Sequence, residues 1–451
     1  MRVLVVAARE PWPLNSGGRL HLYHVLDQLS RRAEVTLVLP RPVEHRENLP
    51  DRITIEALPP STLNADSECR NQSPGPVVSR LARRHFGYNA ALEAWIAREA
   101  RPERFDVALL NGAVLGQHVS AFSVPVVWNP QDELVLPTIR EAQFGAWRRW
   151  PAALHHAAMY AWFERETARR AAATIYVSKI DAAYARRWVG AARVEVVQNG
   201  VDFDFFRPRT GRPEPGTVVF VGSLEFPPNV DGVIHFAKRV WPRIHVGRAG
   251  RRLLVVGRRP VAEVRALASV PGIELAGDVP DVRPYLGRAS AVVVPIRKGG
   301  GLKNKVLEGC AMKRPVVASP HALGGLSARV GVDVLSAGSP PQWAERVGRL
   351  LDRSEYAGRV ARNGYDWVRH THRWSTTGQR FYEILASAWQ SRGPNRSSNA
   401  GRSFVDAVRP ARGPRARTRA GERIPEPSEP EKGAGEGFQD GRVIVGEAVI
   451  T

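Results

Sequence analysis

The segment VVVPIRKGGGLKNKVLEGCAMKRPVVAS, Val292–Ser319, carries the pattern that decides the fold. Val292–Val294 is a run of branched apolar residues, suited to a strand buried on both faces. Three glycines follow, Gly299, Gly300 and Gly301, and a helix is expected from near Leu302. A second strand, Val316–Ala318, closes a strand–helix–strand unit. Glycines at such a turn let the backbone approach a ligand, and the helix N-terminus adds unpaired amides and partial positive charge. Arg297, Lys298, Lys303 and Lys305 surround the turn, so a diphosphate is the natural guest. Glu308 stands about two turns into the helix, where it could accept hydrogen bonds from vicinal hydroxyls such as those of a ribose. The same residues also fit a surface glycine turn with a solvated basic rim and an exposed glutamate.

The unit repeats in both directions. Expected strands before it are Val3–Ala7, Val35–Val38, Val107–Leu110, Val124–Val127, Ala173–Val177 and Val194–Val197. A second series comprises Thr217–Val221, Arg252–Val256, Ile273–Leu275, Ala291–Val294, Val316–Ala318 and Asp333–Leu335. Helix-compatible stretches separate them, the signature of parallel α/β units. The break RPRTGRPEPG, Arg207–Gly216, divides the two series and predicts a linker. The domains expected are therefore 1–208 and 209–375, followed by a C-terminal helix over 376–391 crossing back to the first domain. Residues 392–451 are rich in Arg, Pro, Gly and Ser and predict a disordered tail. Ligands of open parallel sheets bind beyond the carboxyl ends of the strands, where strand order reverses. Two facing sheets would place a cleft between the domains.

In PWPLNSGGRLHLYHVLDQLSRR, Gly17 and Gly18 occupy the first strand–helix turn, which matches neither GxxxxGK[ST] nor GxGxxG. They read either as a bare turn or as a place where amides meet a ligand. VVQNGVDFDFFRP, Val196–Pro208, reads as structural: Asn199-Gly200 turns, Asp202 caps and Phe206 anchors. His21 and His24 read as surface or half-buried, as do His155 and His156, and none has a recognised metal spacing. Phe144–Ala172 mixes aromatics with clustered Arg, which fits a helix on the first sheet or an anionic membrane contact. The loop Pro59–Val78 reads as a surface loop or a mobile flap.

Composition limits the alternatives. The chain has 451 residues, 65 Lys and Arg against 44 Asp and Glu, and a formal charge of +21. That balance favours anionic partners. Two cysteines, Cys69 and Cys310, exclude a disulfide framework. No run reaches the roughly 18 apolar residues of a spanning helix, and no signal peptide is recognisable, so a cytoplasmic location is expected.

These motifs in this order resemble the retaining glycosyltransferases of family 4, in particular bacterial sugar transferases of exopolysaccharide loci. PWPLNSGGR, NGVDFDFF, VVFVGSLEFPPNVDGVIHF, LLVVGRRP, IELAGDVPDVRPYLGRASAVVVPI, the triple-glycine segment and HRWSTTGQRFYEIL carry the likeness, which spans nearly all of Met1–Ser391. The resemblance implies a GT-B fold, with two facing Rossmann-like domains and an interdomain cleft. It implies transfer of a sugar from a UDP- or GDP-linked donor to a glycan or polyprenyl-linked acceptor. It implies no metal or other cofactor, no specific nucleic acid, and a place in the cytoplasm or on the inner face of the plasma membrane. Glu308 then corresponds to the second glutamate of the family's paired motif, the ribose ligand. The first would fall at Gly300, where backbone amides stand in. The family's basic pair for the diphosphate corresponds to Ser223 and Asn229, which leaves that charge to Lys305 with Lys303 or Arg297. Asp278 and Val279 would frame the base. Asn111 takes the place of a catalytic His, with His118 nearby, and Asp132 fits an acid at the end of the next strand. Rival readings are a sugar-nucleotide epimerase or hydrolase of the same fold, and a basic polymer-binding protein.

Overall fold

Strand β1, Arg2–Ala7, sends Val3 and Val5 into one core and Leu4 and Val6 into another, so its apolar run is buried on both faces. That burial dictates a central position. The computed structural model describes residues 1–14, 16–58, 88–131, 134–135, 150–190, 193–208, 213–248, 250–299 and 303–391. The expected tail, the loop Pro59–Val78, Asp132, Gly300 and Gly301 lie outside the described residues, as do residues 144–149.

The first sheet also holds β2 (Glu34–Leu39), β3 (Ile53–Ala57), β4 (Val107–Asn111), β5 (Val126–Gln131), β6 (Ala173–Tyr176) and β7 (Val194–Val196). Its order is β3-β2-β1-β4-β5-β6-β7, and every pairing is parallel. The second sheet holds β8 (Thr217–Val221), β9 (Arg252–Gly257), β10 (Ile273–Gly277), β11 (Ala291–Val294), β12 (Val316–Ala318) and β13 (Leu335–Ser336). Its order is β10-β9-β8-β11-β12-β13, again parallel throughout. Strand order therefore reverses between β1 and β4 in one sheet, and between β8 and β11 in the other. Ala7 pairs with Asn111, so the carboxyl ends of β1 and β4 are level at the first reversal.

Six helices matter to the site. Helix α1, Gly17–Ser30, follows β1 and is capped by Ser16, whose hydroxyl accepts from the Arg19 amide. Helix α2, Trp150–Arg170, covers the first sheet through Phe163 and Ala168. Helix α3, Pro227–His235, follows β8. Helix α4, Asn304–Ala311, begins two residues beyond the expected Leu302 and buries Val306, Leu307, Cys310 and Ala311. Helix α5, Pro320–Leu323, follows β12 and is capped by Ser319.

Helix α6, Trp374–Gln390, returns from the second domain. Its Phe381, Ile384, Leu385 and Ala388 join the core formed by β1 and α1. The NGV segment lies against the start of this helix: the Val201 amide donates to the His372 carbonyl at 2.8 Å. Asp202 accepts from the amides of Asp204 and Phe205, and Phe206 is buried in the second core.

Two differences from expectation have clear causes. Strand β3 was not anticipated: ITIEA is short and follows Asp51 and Arg52, as edge strands often do. Strand β5 runs on through Pro130 to Gln131, where the register with β6 shifts and Gln131 adopts φ 74°. A proline fits a strand at such an irregularity.

Candidate active site

In the second domain the reversal between β8 and β11 is occupied by charge. Helix α4 projects Lys305 across to the first turn of α3, which follows β8. There its Nζ donates to Asn229 Oδ1 at 2.6 Å and lies 5.7 Å from the Phe220 ring centre. Asn229 is buried, and its Nδ2 donates to the Ser223 carbonyl at 2.9 Å. Of the two residues standing where a basic pair was sought, Asn229 thus receives the ammonium of Lys305, and Ser223 holds Asn229 through its carbonyl. Glu308, one turn further along α4, is half-buried and has no hydrogen bond or ion pair among the described residues. Burial pushes the Lys305 ammonium down to about 8, with Glu308 pulling it back and Lys303 adding to the fall. Burial likewise pushes the Glu308 carboxyl up to about 6 against the attraction of Lys305. An unspent carboxylate and a cation that is easily deprotonated therefore share one helix face.

The other basic residues are engaged. Arg297 forms a two-pronged pair with Asp231 of α3 at 2.8 and 3.0 Å, and Lys298 approaches the same carboxylate at 3.7 Å. Burial raises the Asp231 carboxyl, but Arg297 and Lys298 outweigh it and hold the group below its ordinary range. Lys303 Nζ donates to the Gly299 carbonyl at 3.4 Å. His321 Nε2 on α5 lies 2.7 Å from the same carbonyl. Gly299 has φ 93°, a backbone that suits glycine, so the turn is clamped in a shape its sequence permits. Asp278, at φ 51°, accepts from the Arg259 amide at 2.6 Å beyond the ends of β9 and β10, and Val279 packs on the second core.

In the first domain a cavity of about 180 Å³ opens at the reversal between β1 and β4. Arg9, Glu10, Gly18, Arg19, Asn111 and Gln131 line it. Gly17 starts α1 beside Asn304, the first residue of α4, and Gly18 faces the Gln131 amide. Asn111 is buried and accepts from Asn129 Nδ2 at 2.7 Å. A neutral amide has no basic nitrogen, so Asn111 cannot take a proton as the histidine implied by the resemblance would. His118 turns away: it is buried in the 3₁₀ segment Ala113–Ala121, 3.0 Å from Glu93. Among the described residues, Glu10, Glu44 and His45 bring potential ligand atoms within 4.8 Å of one another near this cavity, as solvent-facing acidic groups commonly do.

The structure thus gathers Arg297, Gly299, Lys303, Lys305 and Glu308 at one reversal, and Gly18 and Asn111 at the other, with Gly17 at the seam. His21 and His24 depart from expectation. Both are buried, packed by rings: His24 stacks on Trp374 at 4.4 Å, and His21 meets Trp374 and Phe381 edge-on. The sequence reading missed their apolar partners because these lie on α6, about 350 residues away. It also missed His321, and it read Asn229 only as a lost basic residue. No local spacing marks either.

Comparison with known proteins follows this division. Residues 15–205 match the family model Glycosyltransferase Family 4, and residues 215–353 match Glycosyl transferases group 1. No curated protein matches the chain by sequence. Among solved structures, sucrose-phosphate synthase from Thermosynechococcus elongatus is 15% identical with a TM-score of 0.64, covering 87% of this chain and 100% of its own. The Anabaena protein HepE, solved with UDP and glucose, is 14% identical with a TM-score of 0.58, covering 86% and 100%. WaaG, a glycosyltransferase involved in lipopolysaccharide biosynthesis, is 15% identical with a TM-score of 0.59, covering 85% and 99%. The shared fold is that of the GT-B glycosyltransferases. Two family models, one for each half, and this common architecture together support a single reading of the chain as a GT-B glycosyltransferase, a family 4 domain followed by a group 1 domain.

Proposed function

We propose that the chain transfers a sugar, with retention at the anomeric carbon, from a UDP- or GDP-linked donor to a glycan or polyprenyl-linked acceptor in exopolysaccharide assembly. The observation that carries this is Lys305, held on Asn229 at the β8–β11 reversal beside a Glu308 that has no hydrogen bond or ion pair among the described residues. In this reading Glu308 takes the ribose hydroxyls, and the Gly299–Gly301 turn with Lys305 takes the diphosphate. Asp278 and Val279 border the base. The acceptor enters through the cavity at Asn111.

The acceptor oxygen bonds to the anomeric carbon as the bond from that carbon to the diphosphate oxygen breaks. The electron pair leaves with the diphosphate, and the acceptor proton passes to a departing phosphate oxygen. Negative charge grows on the leaving group, so a preorganised cation there lowers the barrier more than it tightens the ground state. This chemistry asks for no metal, because Lys305 and the amides supply the countercharge. The family models matched by the two halves and the nucleotide seen in HepE support the assignment. No helix among the described residues is long and apolar enough to cross a membrane. A membrane-bound acceptor would be met from the surface, with α2 the contact.

The test is release of nucleoside diphosphate from a panel of nucleotide sugars, with and without polyprenyl-linked acceptor. Acceptor-dependent release with a glycosylated product supports the reading. Release indifferent to acceptor favours a hydrolase, and no release from any donor refutes transfer.

A further inference from the structure

Five polar side chains from five separate segments form one hydrogen-bonded chain between the two halves. Asn129 Nδ2, with two protons to give, lies 2.7 Å from Asn111 Oδ1 and 3.0 Å from His21 Nε2. Nε2 must then be bare, so the ring proton sits on Nδ1, which donates to Asn199 Oδ1 at 2.8 Å. Asn199 Nδ2 in turn donates to Asn304 Oδ1 at 3.0 Å. His21, Asn111, Asn129 and Asn199 are buried. Burial lowers the His21 pKa to about 4, partly offset by Asn199, so the ring is neutral.

The chain could run in the opposite sense only if every amide turned over together. Asn129 decides between the two. As placed, its Oδ1 is buried without a partner. Turned over, its oxygen would take both neighbours and its NH2 group would be buried without an acceptor. A buried carbonyl tolerates that better than a buried donor. The favoured sense leaves the NH2 end of Asn111, a residue lining the cavity, unclaimed among the described residues.

We propose that His21 is a positioning residue: its Nδ1–H form locks the Asn111–Asn129–His21–Asn199–Asn304 chain in one sense. Asn111 thereby offers an N–H donor to a sugar oxygen in the cavity, while Asn304 is held at the start of the helix that carries Lys305 and Glu308. The proposal rests on the transferase reading for its substrate, but the tautomer can be measured without one.

Nitrogen-15 NMR of the histidine-labelled full chain, with His21→Phe to assign the resonance, reads the tautomer directly. A proton on Nδ1 supports the proposal, and a proton on Nε2 overturns it whatever the activity. Asn129→Asp offers acceptors to both neighbours. It should move the His21 proton to Nε2 and lower turnover about tenfold or more, with UDP affinity by calorimetry held within about threefold. His21→Phe keeps the ring packing and should show the same split between turnover and UDP binding, which covers the case in which Asn129→Asp does not fold. Full turnover in His21→Phe, or UDP affinity falling in step with turnover, overturns the coupling. An Nδ1 proton in a chain that turns over no nucleotide sugar would refute the transferase reading and leave the lock standing.

Discussion

Replacing Lys305 by Met tests the electrostatics of the second domain most directly. Lys305 Nζ holds Asn229 at 2.6 Å, while Arg297 and Lys298 are committed to Asp231 and Lys303 to the Gly299 carbonyl. Losing a charge-assisted hydrogen bond costs about 1.5–3 kcal/mol, or roughly 10- to 150-fold in rate. Because the interaction strengthens as the diphosphate departs, kcat should fall with kcat/KM, and the donor dissociation constant should move less. The wild type carries its own check. With the ammonium pushed down to about 8, protonation of the free enzyme is lost above that pH. The pH profile of kcat/KM reports the free enzyme, so it should fall from about pH 8 and stand about tenfold below its plateau at pH 9. The profile of kcat should stay flat further, since bound diphosphate favours the charged lysine. In Lys305→Arg the alkaline limb should vanish, because the guanidinium stays charged. Steady-state kinetics from pH 6.5 to about 9.5 decides the matter. A flat wild-type kcat/KM, or an unchanged limb in Lys305→Arg, would refute the reasoning.

Three further outcomes are expected. Glu308→Gln should weaken donor binding in calorimetry by about 1.5–3 kcal/mol. The raised Glu308 pKa favours the fold below about 4.5, an advantage lost as pH rises through about 6, so the melting temperature of the Gln variant relative to wild type should climb across that window. Gly378→Ala puts a methyl group into Gln28 at the crossing of α6 on α1, and should cost about 1–3 kcal/mol in denaturant unfolding. A chain ending at Ser391, where α6 stops, should keep its melting temperature and its activity on a soluble acceptor analogue; loss of either places the tail in the enzyme.

What was legible in the sequence follows from how local each signal is. Val292–Val294 and Val3–Ala7 announce central parallel strands because burial on both faces removes polar residues. Ile53–Ala57 escaped notice because an edge strand needs no such run. The turn at Gly299 and the basic residues around it were legible because turn, helix start and charge lie within a few residues. The partner of Lys305 was not, since Asn229 is 76 positions away and matters only because the start of α3 meets α4 in space. Nor was the role of His21. Its neighbours Asn129, Asn199 and Trp374 come from three other segments, and helical spacing shows only that His21 and His24 share a face.

The same contrast bears on how this active site would differ from one with a basic pair at positions 223 and 229. Two separate cations share a diphosphate, so losing one proton removes only part of the countercharge. Here, helix α4 brings the Lys305 ammonium to Asn229, and the burial that would sharpen its field also lowers its pKa. On the proposed reading, stabilisation of the leaving group and sensitivity to alkaline pH would have one cause. Glu308 limits that sensitivity, because its carboxylate, three residues away on the same helix, raises the lysine pKa against burial. Removing the carboxylate should move the alkaline limb of kcat/KM to lower pH as well as weaken donor binding. A Glu308→Gln variant whose limb stays near pH 8 would show that the two groups act independently.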